Sequence, residues 1–151
     1  MIVLRPMNGE NYAHAAAVEQ TCFLDRPWTA EQFREELGID FSRTFIAYDG
    51  DAAVGFVNIW LTPPTATVNN IAVLPGHRRR GIADLLLDCA EEVCAGLEEL
   101  TLEVRVSNRP AIGLYEKHGF VNVARRRNFY ENPREDAFIM TKKLSGVNGN
   151  D

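Results

Sequence analysis

The most informative part of this 151-residue chain is Val73-Leu74-Pro75-Gly76-His77-Arg78-Arg79-Arg80-Gly81-Ile82-Ala83. It leads from a strand-like segment through a turn into a segment with the three-and-four hydrophobic spacing of a helix. Backbone N–H groups at the start of a helix lack partners, so such a turn is suited to phosphate. Gly81 and Ala83 keep the approach open, and the arginines add positive charge. The stretch predicts either a phosphate-binding turn or a basic helix start without a ligand.

Two common phosphate motifs do not fit this turn. A Walker loop has Lys and then Ser or Thr after its second Gly, and a dinucleotide fingerprint has three small residues. Short glycine motifs also occur without a ligand, so the elements around the turn decide how it is interpreted.

The surrounding sequence predicts strands and helices over most of the chain. Thr29 with Gln32 has the pattern of a capping box, Asn108 can cap a later helix, and Gly119 can close that helix. Hydrophobic spacing predicts helices at Tyr12 to Phe23, from Thr29 onward, at Ala83 to Leu97 and from Asn108 to about His118. It predicts strands at Ile2 to Arg5, Phe45 to Tyr48, Ala53 to Leu61, Thr67 to Leu74, Leu100 to Val106, Phe120 to Arg127 and Ala137 to Lys142.

In this context the chain resembles the GCN5-related N-acetyltransferases (GNAT). Arg78 to Ala83 matches the acetyl-CoA signature of that family, and Asn108 to Phe120 carries its second pattern of Asn, Ala, Leu-Tyr and Gly-Phe in order. The resemblance implies an α/β (α+β) fold, with one GNAT domain over residues 1–144 and a mobile tail over residues 145–151. A mixed, mostly antiparallel sheet of about six or seven strands would be flanked by about four helices. Splayed strands would form the acetyl-CoA cleft.

A closer resemblance points to the RimI-type enzymes of the family. It is carried by Leu102-Glu103-Val104-Arg105, Ser107-Asn108, Arg127-Asn128-Phe129-Tyr130 and Glu135-Asp136-Ala137. These enzymes acetylate the N-terminal alanine of a small-subunit ribosomal protein, using acetyl-CoA and direct attack by the amine. Many carry two adjacent tyrosines where this chain has Phe129-Tyr130, so the grip on the peptide or the peptide preference is expected to differ.

Two residues are expected to move protons. Glu103 alternates with Leu102 and Val104, so it can face a cleft while its neighbours fill the core. The resemblance implies that Glu103 is the base for the amine and that Tyr115 is the general acid for the departing thiolate. The residues alone leave two alternatives open, namely a surface carboxylate beside Arg105 and a core tyrosine.

The resemblance also implies a cofactor site and an acceptor site. Trp28 and Tyr130 would flank the acceptor, although both could equally be core aromatics. Glu135, with Asp136, would attract a basic peptide. The backbone of Ile71, Ala72 and Val73 would pair with pantetheine, and the phosphates and nucleotide would contact Arg79, Arg80, Gly81, Ile82, Ala83 and Asp84. Asn108 would bond either the pantetheine arm or the nucleotide end of CoA.

Composition limits the other functions. The net charge of −5 argues against a general nucleic-acid binder. No stretch is apolar and long enough for a membrane helix, and no signal peptide is visible, so the expected address is the cytoplasm. The three histidines do not cluster and the three cysteines match no zinc or redox spacing, so we expect no metal and reduced thiols. The expected oligomeric state is a monomer or a weak dimer.

Some features stay open at this stage. The carboxylates of the helix after Ala83, among them Asp84, Asp88 and Glu91, have the pattern of a solvated face. Arg125 to Arg127 have no assigned role, and a solvated strand edge is the default interpretation. Two other functions also remain: an acetyltransferase for a small amine, such as a polyamine or an aminoglycoside, and a non-catalytic module that binds CoA or a partner.

Overall fold

Seven strands and four helices form in the part of the chain that the structure, a computed structural model, describes, residues 1–23 and 26–144. A short 3-10 turn, Pro75–His77, follows the fourth strand. The helices are α1 (Tyr12–Cys22), α2 (Ala30–Glu36), α3 (Ile82–Val93) and α4 (Arg109–Lys117). The strands are β1 (Ile2–Pro6), β2 (Ser42–Asp49), β3 (Ala52–Thr62), β4 (Thr65–Val73), β5 (Glu99–Arg105), β6 (Val121–Glu131) and β7 (Arg134–Lys143).

All seven strands belong to one sheet. Their order is β1-β2-β3-β4-β5-β7-β6. The β4–β5 pair is parallel and every other neighbouring pair is antiparallel. The prediction of a mixed, mostly antiparallel sheet with about four helices is therefore confirmed.

The parallel pair is short, and this creates a wedge in the sheet. β4 and β5 are in register only from Thr65 opposite Glu99 to Val68 opposite Leu102. Beyond that point β4 continues to Val73 beside β3, while β5 continues to Arg105 beside β7. The ends of the two strands therefore diverge, and we call the opening between Asn69–Val73 and Glu103–Arg105 the wedge.

Local sequence explains the elements that border the wedge. In β5, Leu100, Leu102 and Val104 are buried and the residues between them are partly exposed, as the alternation predicts. In α3, Ile82, Leu86, Leu87 and Ala90 form the buried stripe. The Thr29–Gln32 capping box and the Asn108 cap both form as predicted.

Two apolar clusters cover the two faces of the sheet. One lies with α3 and α4 and contains Leu86, Leu100, Leu102 and Met140; the other lies with α1 and α2 and contains Phe33. Within the sheet, β3 and β4 approach closely at Gly55, where an added Cβ would lie 2.9 Å from the carbonyl oxygen of Ala72. That contact explains a glycine in a buried strand.

Some sequence-based expectations need adjustment. β6 extends to Glu131, four residues beyond the predicted end, because its turn into β7 is tight. The carboxylate face of α3 is not simply solvated: Glu91 accepts from Lys142 Nζ at 2.7 Å, and Asp84 accepts from His118 Nε2 at 2.7 Å. The predicted tail, residues 145–151, lies outside the described residues, and the predicted domain limit at residue 144 stays a prediction.

Two further expectations concern the thiols and a membrane. Cys22, Cys89 and Cys94 are all free, and Cys94 is buried, in keeping with reduced thiols. Among the described residues there is no helix of the length and apolar character needed to cross a membrane.

Candidate active site

Glu103 lies at the mouth of the wedge. It directly follows Leu102, the last β5 residue paired with β4, so its side chain stands where the two strands part. About a third of that side chain, 32%, is exposed, while Leu102 and Val104 are buried on the other face. A partly exposed carboxylate at the edge of a cleft can meet an incoming amine, which is the role that the family resemblance implies for Glu103.

The Glu103 carboxylate has a cationic partner that the sequence analysis did not find. Arg126 Nη1 on β6 donates to Glu103 Oε2 at 3.1 Å. The guanidinium carbon of Arg126 also lies 4.9 Å from the centre of the Phe129 ring. Arg126 therefore contacts the predicted base and is not merely a solvated residue of a strand edge.

Tyr115 is positioned by α4, which follows β5. Its ring is 7% exposed and packs against Phe120, with ring centres 5.9 Å apart. Burial, with a smaller contribution from Tyr130, raises the pKa of Tyr115 to about 12. The phenol therefore keeps its proton at neutral pH and is available as a donor.

Tyr130 links the two predicted proton-transfer residues. Burial first, and then the charge of Glu103, raises the pKa of Tyr130 to about 12, and Tyr130 in turn raises the pKa of Tyr115. Tyr130 is therefore within electrostatic reach of both Glu103 and Tyr115. Arg105 lies over the Tyr130 ring, with its guanidinium carbon 4.3 Å from the centre.

Glu135 and Asp136 do not present free carboxylates. Glu135 accepts from Arg105 at 3.1 Å and from the Ser107 backbone N–H at 2.7 Å, and only 15% of its side chain is exposed. Asp136 accepts from Arg125 at 2.7 Å and from the Asn128 N–H at 2.9 Å. Glu135 thus holds Arg105 over Tyr130, and both arginine pairs were missed because they join residues far apart in the sequence.

The free edge of β4 offers backbone groups to the wedge. Leu74 N donates to Val54 O on β3 at 2.8 Å, so by alternation Ala72 also faces β3, while Ile71 and Val73 face the wedge. Of the three residues predicted to pair with pantetheine, Ile71 and Val73 have the required backbone orientation. The backbone of Ala72 does not, since successive residues of a strand turn opposite ways.

The Val73 carbonyl is already occupied. Arg78 Nε donates to it at 3.0 Å, and the Cys22 thiol donates to it at 3.4 Å. Arg78 is therefore turned back onto β4, which leaves Arg79 and Arg80 as the arginines of the turn that face outward. The N–H of Val73 points to the same edge and is the donor nearest the start of the turn.

The turn before α3 fits a phosphate group. Gly81 has φ of +79° and Arg79 has φ of +65°, and left-handed residues in a turn direct N–H groups into a concavity. No side chain of the described residues caps α3, whose first N–H groups belong to Ile82, Ala83 and Asp84. A Cβ at Gly81 would meet open space, so the approach is clear.

The charged side chains of this turn are partly paired. Arg80 lies 3.6 Å from Asp49, which also lies 3.7 Å from His77. The Asp84 carboxylate is held by His118 and, at 2.9 Å, by Lys117, and these contacts lower its pKa. Asp84 can therefore contact an anion only through its backbone N–H. Ile82, whose side chain is buried, can also contribute only its backbone N–H.

Asn108 caps α4 beside the wedge. Its Oδ1 accepts from the Ala111 N–H at 3.2 Å, which leaves its amide nitrogen as the group that can donate to a ligand. Both sequence-based roles, a helix cap and a cofactor contact, are therefore compatible in one side chain.

Trp28 is held beside β4 by a buried carboxylate. Its ring packs on Phe33, with ring centres 5.3 Å apart, and its backbone N–H donates to Glu19 Oε2 at 2.9 Å. Glu19 is 3% exposed and also accepts from Asn70 Nδ2 at 2.9 Å. The sequence carried a signal for Glu19, since it falls on the apolar face of α1 with Ala15 and Ala16.

The family comparison agrees with this geometry. The profile described as the Acetyltransferase (GNAT) family matches residues 13–120, which include the wedge, the turn and α4. The chain belongs to the GNAT acetyltransferase family.

Individual relatives of this GNAT chain extend the comparison. A Bacillus subtilis (strain 168) protein, provisionally named a ribosomal protein bS18-alanine N-acetyltransferase, is 35% identical over 140 residues, covering 91% of this chain and 92% of that protein. The crystal structure of the Escherichia coli ribosomal-protein-S18-alanine N-acetyltransferase superposes with a TM-score of 0.89 at 31% identity, over 100% of this chain and 99% of that one. Arabidopsis thaliana NAA60, solved with acetyl-CoA, shares the fold with a TM-score of 0.86 at 20% identity, covering 97% and 100% of the two chains.

These findings confirm the family, its fold and an acetyl-CoA-dependent N-acetyltransferase activity for the chain. The site-residue assignments stay predictions. The expectation of no metal also stays a prediction, and the histidines are less isolated than their spacing suggests. One ligand atom each from Asp88, Glu91 and His118 lies within 4.8 Å of the others, beside Lys142.

Proposed function

We propose that this GNAT enzyme acetylates the N-terminal α-amine of a protein, and that its acceptor is the N-terminal alanine of a small-subunit ribosomal protein. The observation that carries the proposal is the partly exposed Glu103 carboxylate at the mouth of the wedge, directly after the last residue of β5 that pairs with β4. The bacterial relatives described above bear names that state this acceptor.

The first step prepares the nucleophile. A free α-amine has a pKa near 8 and is mostly protonated at neutral pH. Glu103 takes its proton, directly or through a water molecule, once the acceptor occupies the wedge. The amine then carries the lone pair that attacks the acetyl carbon.

The second step needs stabilisation of the oxygen that becomes negative. Acetyl-CoA supplies the activated acetyl group as cosubstrate. The N–H of Val73 faces the wedge and is placed to donate to an acetyl oxygen there. Ile71 presents its backbone to the same edge and fits an extended amide chain, while the turn at Gly81 fits the phosphates.

The last step returns a proton. Tyr115 is a buried phenol that stays neutral at physiological pH because its pKa is raised to about 12. It donates its proton to the thiolate as the C–S bond breaks, and the second proton, which the attacking nitrogen loses as the amide forms, restores the phenol. The base and the acid therefore come from consecutive elements, β5 and α4.

Trp28 and Tyr130 bind the acceptor in this proposal. Both lie beside the wedge, and each is fixed by a neighbouring group, Trp28 by Glu19 and Tyr130 by Arg105. Glu135 acts through Arg105, because its carboxylate is bonded to that guanidinium. The net charge of −5 favours the approach of a basic ribosomal tail.

A substrate panel tests this proposal. CoA release is measured in separate reactions of the purified enzyme with acetyl-CoA and one acceptor. The acceptors are a peptide beginning Ala-Arg, the same peptide already acetylated at its N-terminus, a polyamine and an aminoglycoside. We expect turnover with the free peptide and not with the blocked one. Faster turnover of the small amines, or acetyl-CoA binding without any turnover, would contradict the proposal. Glu103→Gln serves as the inactive control.

A further inference from the structure

Arg126 reaches Glu103 across an intervening strand. In the register, Arg126 and Arg105 both lie opposite Ala137 of β7, and Glu103 lies opposite Ile139. Residues opposite one another share a face of the sheet, so these side chains are on the face that carries Glu103. Ala137 is fully buried and small, which leaves room for the Arg126 side chain to cross β7.

An irregularity in β6 gives Arg126 a second contact. The register between β6 and β7 shifts between Arg126 and Tyr130, and Asn128 has φ of +53° within that shift. Bulges of this kind re-aim side chains. Here the bulge brings the Phe129 ring to 4.9 Å from the Arg126 guanidinium, which can rest on the ring whether or not it contacts Glu103.

The contact with Glu103 competes with the chemistry proposed above. Glu103 Oε2 is bonded to a guanidinium, yet the base must receive an acceptor ammonium. The pair is partly exposed, with side-chain exposures of 55% and 32%. Such pairs shift an equilibrium by about fivefold at most, so an acceptor ammonium can replace the guanidinium.

We propose that Arg126 is a counterion of Glu103 that favours an amine acceptor over water. This inference rests on the proposed function. Arg126 occupies the carboxylate until an acceptor ammonium displaces it onto the Phe129 ring. Without an acceptor, a carboxylate bonded to Arg126 is a poor base for water. Arg126 therefore suppresses the wasteful hydrolysis of acetyl-CoA. In that reaction water attacks the acetyl carbon, Glu103 takes one of its protons, the C–S bond breaks and Tyr115 protonates the thiolate, giving acetic acid and CoA. The proton on Glu103 then returns to Tyr115 through solvent.

The test compares Arg126→Gln with Arg125→Gln. Both remove one charge from neighbouring positions of β6, but Arg125 pairs with Asp136 and not with Glu103. For Arg126→Gln we expect the peptide KM to fall by up to about fivefold, the acetyl-CoA KM to stay unchanged, and acceptor-free acetyl-CoA hydrolysis to rise severalfold. Arg125→Gln is expected to change none of these, and thermal unfolding confirms that both variants are folded.

Two results overturn the proposal. One is a hydrolysis rate in Arg126→Gln equal to that of the wild type or of Arg125→Gln. The other is an unchanged or raised peptide KM, since a rise would mean that Arg126 binds the acceptor itself. If the wild type acetylates no peptide, the proposed acceptor is wrong. The role of Arg126 can still be tested in that case, because the hydrolysis assay needs only acetyl-CoA.

Discussion

The buried carboxylate of Glu19 accepts a hydrogen bond of 2.9 Å from the backbone N–H of Trp28. Its other oxygen accepts from Asn70 on β4, so one side chain of α1 ties the segment after that helix to the strand that borders the wedge. Burial raises the pKa of Glu19, because the charged carboxylate loses contact with water there. This carboxylate fixes the backbone of Trp28, the residue that we propose flanks the acceptor.

Removing this carboxylate tests the link. Glu19→Ala leaves the Trp28 N–H and the Asn70 amide without a partner, and we expect the free energy of unfolding to fall by about 1–3 kcal/mol. Glu19→Gln can accept from Trp28 and donate to a flipped Asn70 amide, so it should retain most of the stability. Urea unfolding measures the free energy of unfolding of both variants. In Glu19→Ala we also expect the peptide KM to rise more than the acetyl-CoA KM. Equal stability losses in the two variants would exclude the role of the paired hydrogen bonds.

Tyr115→Phe tests the general acid. Only a hydroxyl is lost from a buried ring, so we expect kcat to fall by about 100-fold or more while the acetyl-CoA KM stays nearly constant. Tyr48→Phe is the matched control, because Tyr48 is also buried and its hydroxyl bonds His14 at 2.8 Å. Steady-state kinetics of the two variants decide the matter. Similar kcat values for both would remove Tyr115 from the proton path.

The raised pKa of Tyr115 also predicts a pH dependence of stability. The folded pKa is about 12 and the unfolded value about 10, so above pH 10 the unfolded chain loses this proton first. The stability that depends on the neutral phenol is therefore present below pH 10 and is lost between pH 10 and 12. Near pH 11 we expect Tyr115→Phe to gain about 1 kcal/mol relative to the wild type, compared with pH 8. A stability difference that is equal at both pH values in urea unfolding would contradict this.

Two substitutions separate the proposed roles of Asn108 as a helix cap and as a cofactor contact. Asn108→Ala loses the cap of α4 and should lower the free energy of unfolding by about 1 kcal/mol. Asn108→Ser keeps a capping oxygen but lacks the amide nitrogen, so stability should be retained while the acetyl-CoA KM rises. Chemical unfolding and kinetics on the same preparations measure the two effects. An acetyl-CoA KM that stays normal in Asn108→Ser would limit Asn108 to capping.

Substitution of two glycines by alanine should change stability in opposite directions. Gly55→Ala would place a Cβ 2.9 Å from the Ala72 carbonyl in the β3–β4 pair, so we expect a loss of stability of about 1–3 kcal/mol and a raised acetyl-CoA KM. Gly113 lies within α4 with no atom near an added Cβ, so Gly113→Ala should gain about 0.5–1 kcal/mol. Thermal unfolding ranks the two variants. A stable Gly55→Ala would show that β3 and β4 can separate at little cost.

The sequence predicts the parts of this molecule that depend on local rules. The Thr29 capping box, the Asn108 cap and the alternation that exposes Glu103 in β5 follow from spacing alone. The α3 turn was identified from Gly81 and its flanking pattern. The boundaries differ by a few residues because pairing across the sheet, rather than local preference, ends each strand.

The rest depends on which residues the sheet brings together. The pairs Arg126–Glu103, Arg105–Glu135 and Lys142–Glu91 join residues 23, 30 and 51 positions apart, and no local pattern indicates them. The same holds for the orientation of Ala72, which depends on the bond between Leu74 and Val54. The charge pattern predicted a solvated face on α3 and a solvated strand edge at Arg125 to Arg127, but ion pairs with distant residues form at both.

The position of the transferred acetyl group shows whether Glu103 serves an α-amine or a lysine side chain. A peptide with an N-terminal alanine, a second-position arginine and an internal lysine is incubated with acetyl-CoA and wild-type enzyme, and tandem mass spectrometry assigns the acetyl position. We expect one acetyl group on the α-nitrogen of the alanine, and none with Glu103→Gln. Acetylation of the lysine side chain alone, or undiminished α-acetylation by Glu103→Gln, would contradict this expectation.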